Sequence, residues 1–133
     1  MGKYRFIEHM SDVIVEAEGK TFREAFESLA LGMFTQTGGT AKGNESFDIE
    51  ATGGTVEEMV VNALSELLAE IEIQRFTPMR VEVRDFDEKM NKLRFTVFGE
   101  TKPPKNIIKA VTFHQLFAKK GKEGWTLRVL FDI

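Results

Sequence analysis

Two helical stripes, each opened by the same G-x-T-x-x-E signature, sit inside a chain that otherwise alternates polar and apolar residues. The first signature is Gly19-Lys20-Thr21-Phe22-Arg23-Glu24. The second is Gly53-Gly54-Thr55-Val56-Glu57-Glu58. In each, the threonine can cap the first turn while the glutamate three residues on reaches back to the threonine N–H. Behind the first, Phe22, Ala25, Phe26, Leu29 and Met33 fall at helical spacing, and the helix is expected to end near Thr37, before Gly38-Gly39. Behind the second, Val56, Met59, Val60, Ala63, Leu64, Leu67, Leu68 and Ile71 form the strongest stripe in the chain, running to about Ile73. A helix with one apolar stripe must lay it on something else. The rest of the sequence supplies strands.

Lys3 to Glu8 and Val13 to Glu18 read as strands joined by the polar connection Glu8-His9-Met10-Ser11-Asp12. Phe47, Ile49 and Ala51 alternate with Asp48, Glu50 and Thr52 in a third. Met79, Val81 and Val83, then Leu93, Phe95 and Val97, flank a turn over Asp85 to Asn91 and read as a hairpin. After the Pro103-Pro104 loop, Ile107 to Ala118 reads as a long strand that turns at Gly121 to Gly124 into the last one. In that last strand Trp125, Leu127, Val129 and Phe131 alternate with Thr126, Arg128, Leu130 and Asp132. The order is ββαβα followed by two β-hairpins. It predicts an α+β two-layer sandwich: a mostly antiparallel sheet covered on one face by two helices, as one domain over residues 1–133.

Composition narrows the chemistry. There is no cysteine, which excludes a disulfide framework, a thiolate zinc site and a cysteine nucleophile. The two histidines, His9 and His114, are too few for a histidine-rich metal site. No apolar run approaches the roughly 20 residues of a membrane span, and no apolar stretch follows the basic residues at the start, so a cytoplasmic protein is expected. Gly19-Lys20-Thr21 invites a phosphate-loop reading, but that motif needs a glycine where Ile14 stands. Net charge is −3, with every charge from Glu45 to Glu72 negative and every charge from Lys102 to Lys122 positive. The simpler reading is two solvated faces of opposite sign; the sharper one is a basic edge that meets an acidic partner or RNA. Phe113 and Phe117, interleaved with basic residues, are assigned to the core because no aromatic RNA-binding motif surrounds them.

The candidate site lies at the C-terminal end. The Asp132 side chain and the α-carboxylate of Ile133 are one residue apart, and two anions so close repel unless something positive lies between them. Asp12, in the polar connection between the first two strands, reads on its own as a turn-capping residue. If the first and last strands are neighbours, it becomes a third oxygen anion. Such a set suits a hard cation, Ca²⁺ or Mg²⁺, rather than zinc or copper. His9 and His114 could flank the site, although a lone strand histidine is more often structural. Lys109 is either a charged edge residue or a functional cation.

Three stretches together resemble the archease family. Glu8-His9-Met10-Ser11-Asp12-Val13 is similar to its H-T-A-D-V, Lys109-Ala110-Val111-Thr112-Phe113-His114 to K-A-V-T-Y-H, and Val129-Leu130-Phe131-Asp132-Ile133 to V-I-F-D-I at the chain end. The order, the spacing and the length fit over the whole chain. The resemblance implies a non-catalytic protein cofactor that activates the RNA ligase joining 3′-phosphate and 5′-hydroxyl ends in tRNA splicing; separately, no long exposed apolar stripe argues for an obligate dimer, so a monomer is expected. Such a cofactor would promote ligase guanylylation and multiple turnover and broaden nucleotide use, meeting RNA only through the ligase. By position the family's metal site falls on Asp12, Asp132 and Ile133. His9, Lys109 and His114 match motif positions without an assigned role. Phe113 stands where the family has tyrosine, and the segment after Gly99-Glu100 is short and proline-containing where many relatives carry a longer acidic one. Two other classes are carried beside this one: a small metal-dependent phosphoester hydrolase, which would need His9 or His114 as base, and a chaperone-like binding module with an apolar groove.

Overall fold

The computed structural model describes residues 2–8 and 12–133. Nine elements follow the expected order: β1 (Lys3–Glu8), β2 (Asp12–Gly19), α1 (Phe22–Thr37), β3 (Glu45–Thr52), α2 (Val56–Gln74), β4 (Phe76–Asp87), β5 (Lys92–Thr101), β6 (Ala110–Gly121) and β7 (Gly124–Asp132). The strands are divided between two sheets, ordered β1-β2-β7-β6 and β3-β5-β4, and every pairing is antiparallel. β7 lies between β2 and β6, so the N-terminal strand beside it is β2, the second in sequence rather than the first. Among the described residues no helix is long and apolar enough to cross a membrane.

Both helices bury their stripes against the sheets. α1 packs on β1, β2 and β7 of the first sheet and on β4 of the second; α2 packs on β3, β4 and β5 and reaches across to β6. Three rings knit the layers at one end. Phe22 of α1 stacks on Phe86 of β4 at 4.0 Å and meets Trp125 of β7 edge-on at 5.3 Å. Gly32 lets α1 approach β2: a Cβ there would lie 2.6 Å from Val15 Cγ1 and 3.0 Å from the Tyr4 ring.

The two helix starts are capped, with one change from expectation. The Thr21 and Thr55 hydroxyls accept from the N–H groups of Glu24 and Glu58. Glu24 reaches back to the Lys20 N–H at 3.0 Å, one residue earlier than a capping box requires. α2 ends on Arg75 in the left-handed conformation (φ 52°), with its N–H on the Glu72 and Ile71 carbonyls.

The hairpin and the long penultimate strand also differ from the sequence reading. β4 continues through Asp85 and Phe86 because its register slips between Val83 and Asp85, so the turn starts only after Asp87. The Asp87 carboxylate then accepts from the Lys89 and Met90 N–H groups. β6 begins at Ala110, not Ile107. The preceding loop is tied instead to α1, where the Asn106 N–H donates to the Thr37 carbonyl at 2.7 Å, leaving Ile107 exposed and Ile108 buried.

Candidate metal centre

The core face of β7 is Trp125, Leu127, Val129 and Phe131, all buried. Its other face carries Thr126, Arg128, Leu130 and Asp132. Residues directly opposite in an antiparallel pair share a face. The β2–β7 register sets Glu18 against Thr126, Glu16 against Arg128, Ile14 against Leu130 and Asp12 against Asp132. The sheet's outer face is thus graded along β7, from charged to apolar to acidic.

The acidic row ends it. Asp12 and Asp132, separated by most of the chain, are register partners on adjacent strands, so their Cβ atoms lie roughly 5 Å apart. Like charges placed directly opposite destabilise a sheet unless a cation lies between them. Ile133 follows at once, 46 % exposed, and Ala110 of β6 is the partner of Asp132 on the other side. The Lys109 N–H donates to the Asp132 carbonyl at 2.8 Å, which ties the segment ahead of β6 to the end of β7. Among the described residues no group of three or more His, Cys, Asp and Glu side chains is arranged to hold a metal. The set expected from the sequence is Asp12, Asp132 and Ile133, and the register brings the two aspartates to one row. Aspartate carboxylates are hard oxygen donors, a ligand type that suits Ca²⁺ or Mg²⁺.

The other expected residues fall at different distances from this row. Lys109 sits beside it through its backbone and is exposed, just ahead of β6 rather than within an apolar strand. His114 lies in a bulge of β6, where the register jumps from Thr112–Leu130 to Phe117–Arg128. Gln115 takes a positive φ of 57° there, and the His114 N–H donates to the Thr112 hydroxyl at 3.2 Å. The register places His114 beyond the Thr112–Leu130 pair and outside the Asp12–Asp132 row. The same bulge corrects the reading of Phe113: it is 61 % exposed, because the extra residues break the alternation that would have sent it inward. His9 lies outside the described residues.

One group was not singled out from the sequence. Glu16, on the outer face, is nearly buried between two arginines. Its Oε2 accepts from Arg128 Nε at 3.0 Å and Nη2 at 2.6 Å, and its Oε1 from Arg5 Nη2 at 3.0 Å. Burial pushes its pKa up, but the hydrogen bonds and charges of Arg128 and Arg5 outweigh that and hold it below the ordinary glutamate value. Arg128 in turn lies over the Phe117 ring at 4.8 Å. The available signal was an acid in the apolar run Val13 to Glu18 and an arginine in the last strand.

The model of the archease protein family matches residues 4–133. The chain belongs to the archease family. An archease of Methanosarcina acetivorans is 34 % identical, with 98 % of this chain and 96 % of that one covered. The archease of Pyrococcus abyssi is 29 % identical over the full length of both. Two solved structures share the fold. The solution structure of a Methanobacterium thermoautotrophicum protein has a TM-score of 0.68 at 24 % identity over 98 % of each chain. The crystal structure of a Thermotoga maritima archease, described as a possible chaperone, has a TM-score of 0.66 at 23 % identity over 96 % of this chain and 94 % of that one. Archeases are accessory proteins rather than enzymes.

Proposed function

We propose that this archease is a non-catalytic cofactor of the cytoplasmic RNA ligase that joins 3′-phosphate and 5′-hydroxyl ends in tRNA splicing, and that it acts on the ligase through a hard cation at its acidic tip. The observation that carries the reading is the register pairing of Asp12 with Asp132 beside Ile133. Asp12, Asp132 and the α-carboxylate of Ile133, where the chain as given ends, would hold the ion. Bound there, a Ca²⁺ or Mg²⁺ ion would supply positive charge and open coordination positions for a phosphate or a partner carboxylate. The protein's own part is positional. The β2–β7 ladder fixes the two aspartates on one face, and the Lys109 N–H pins the Asp132 backbone. A monomer presenting this tip to the ligase's metal–nucleotide centre would favour guanylylation by orienting the triphosphate.

The test measures ligase guanylylation without this protein, with it, and with Asp132→Ala. The expected result is stimulation by the wild type that falls to the unstimulated level with the variant. Equal stimulation by Asp132→Ala would remove the acidic tip from the mechanism.

A second reading rests on a different feature. A groove of about 390 Å³ lies between α2 and the Pro103 to Ile108 loop, with Ile73 and Ile107 exposed at its lip. It could take an apolar segment of a client. Suppression of aggregation of unrelated proteins that survives Asp132→Ala and is lost with Ile107→Asp would favour it.

A further inference from the structure

The end of β7 opposite the acidic tip is basic. Gly124 and Asp132, at the two ends of β7, are eight residues apart, roughly 26 Å of strand. Around the Trp125 end runs an open groove of about 830 Å³ lined by Lys3, Lys20, Lys119, Lys120 and Lys122, with Glu18 and Glu123 as its acids. Five lysines against two glutamates make a positive field on a chain whose net charge is −3. Two of the lysines are engaged: Lys3 pairs with Glu18 at 3.4 Å, and Lys120 with Glu88 at 3.1 Å. Lys20, Lys119 and Lys122 are exposed; the Glu24 carboxylate that accepts the Lys20 N–H also feels the Lys20 charge, and Lys119 Nζ lies over the Phe117 ring at 5.1 Å. The nearby start of α1 offers no backbone donor at Lys20, because Glu24 already occupies that N–H.

We infer that this groove binds the phosphodiester backbone of a nucleic acid, a site separate from the acidic tip and a contact the ligase-activating role does not include. The lining decides between this and an acidic protein surface. Protein interfaces are depleted in lysine and depend on buried aromatic or arginine anchors. Here the cations are all lysines, and the one aromatic, Trp125, is only 8 % exposed and packed into the core. Compact ammonium charges on flexible stems match a row of phosphates and need no shape complementarity. Because Trp125 is not available for stacking and lysines do not read bases, binding is insensitive to sequence and to the 2′-hydroxyl.

The experiment is fluorescence anisotropy of labelled short oligouridylate, the matching oligodeoxythymidylate and an oligoglutamate peptide, titrated with the full chain from about 50 to about 200 mM salt. Each phosphate neutralised on a single strand contributes about −0.7 to the slope of log K against log salt. The variant Lys20→Gln/Lys119→Gln/Lys122→Gln is therefore expected to flatten the slope by about 2 and weaken binding at low salt by about tenfold or more. Lys122→Gln alone is expected to give about a third of that flattening, so the result does not hang on one heavily altered variant. A control with the same charge change elsewhere, Lys42→Gln/Lys89→Gln/Lys105→Gln, should bind as the wild type does. RNA and DNA should bind within a few-fold of each other, and oligoglutamate more weakly. Unchanged affinity in the groove variant, equal weakening in the control, a strong RNA preference or tighter peptide binding would each overturn the inference. Asp132→Ala should leave oligonucleotide affinity intact and the groove variant should leave guanylylation intact, so the two sites stand or fall separately.

Discussion

Replacing Glu16 by glutamine should cost this protein roughly 2–3 kcal/mol. The Glu16 side chain is 9 % exposed and takes two hydrogen bonds from Arg128, whose side chain is 26 % exposed, and one from Arg5, at 67 %. Hydrogen bonds to charged groups contribute about 1.5–3 kcal/mol when sheltered. The Arg128 pair belongs in that range, while the solvent-screened Arg5 contact adds about 1 kcal/mol at most. Glutamine keeps one acceptor oxygen but turns an N–H₂ group towards the other guanidinium. For a domain of this size the loss corresponds to a fall in Tm of about 6–12 °C. The pH dependence carries the sharper test. Glu16 has a lowered pKa in the folded state, so its stabilisation is present above the ordinary glutamate value and is lost as pH falls through the lowered one. Denaturant unfolding of the two proteins should show the full gap at pH 7, and the gap should shrink below about pH 4 as the wild type alone loses this contribution. A gap that stays constant down to pH 2, or no gap at pH 7, would refute the assignment of Glu16 as the charge that Arg128 depends on. Changing Glu16 and Arg128 together to methionine should cost less than changing Glu16 alone to methionine, because no sheltered guanidinium is then left without its counter-charge.

Two further substitutions test packing. Gly32→Ala drives a methyl group against Val15 and the Tyr4 ring and should destabilise by about 1–3 kcal/mol, read as a lower denaturant midpoint, whereas a helix-interior glycine with room around it would gain about 1 kcal/mol. Phe113→Ser should change stability by less than about 0.5 kcal/mol in thermal unfolding, since the ring is exposed on the β6 bulge; a loss of several kcal/mol would return it to the core.

The parts of the fold that were legible in the sequence are those whose signal is local. The stripe from Val56 to Ile71 and the alternation from Trp125 to Phe131 each state which face is buried, and each is buried as stated apart from the intermediate Val56 and Leu68. Which strands pair is not local. The β2–β7 ladder joins residues more than a hundred positions apart, and nothing in either alternation names its partner, so the division into two sheets went unread. Bulges defeat alternation directly. The slips at Val83/Asp85 and Thr112/Phe117 moved a turn and put Phe113 on the wrong side. The aspartates were legible as anions in unusual places, but only the register brings Asp12 and Asp132 to one row. Glu16 and Arg128 looked like ordinary outward residues because their pairing, too, exists only across the sheet.

Metal binding itself is the most direct test of the acidic tip. Isothermal titration of Ca²⁺ and Mg²⁺ should be run on the wild type, on Asp12→Asn, on Asp132→Asn, and on a chain extended beyond Ile133, in which the α-carboxylate becomes a neutral peptide carbonyl. Binding of one ion by the wild type, weakened clearly in all three variants, is the predicted result. Affinity unchanged by either aspartate substitution would contradict the site, and affinity unchanged by the extension would take Ile133 out of the ligand set.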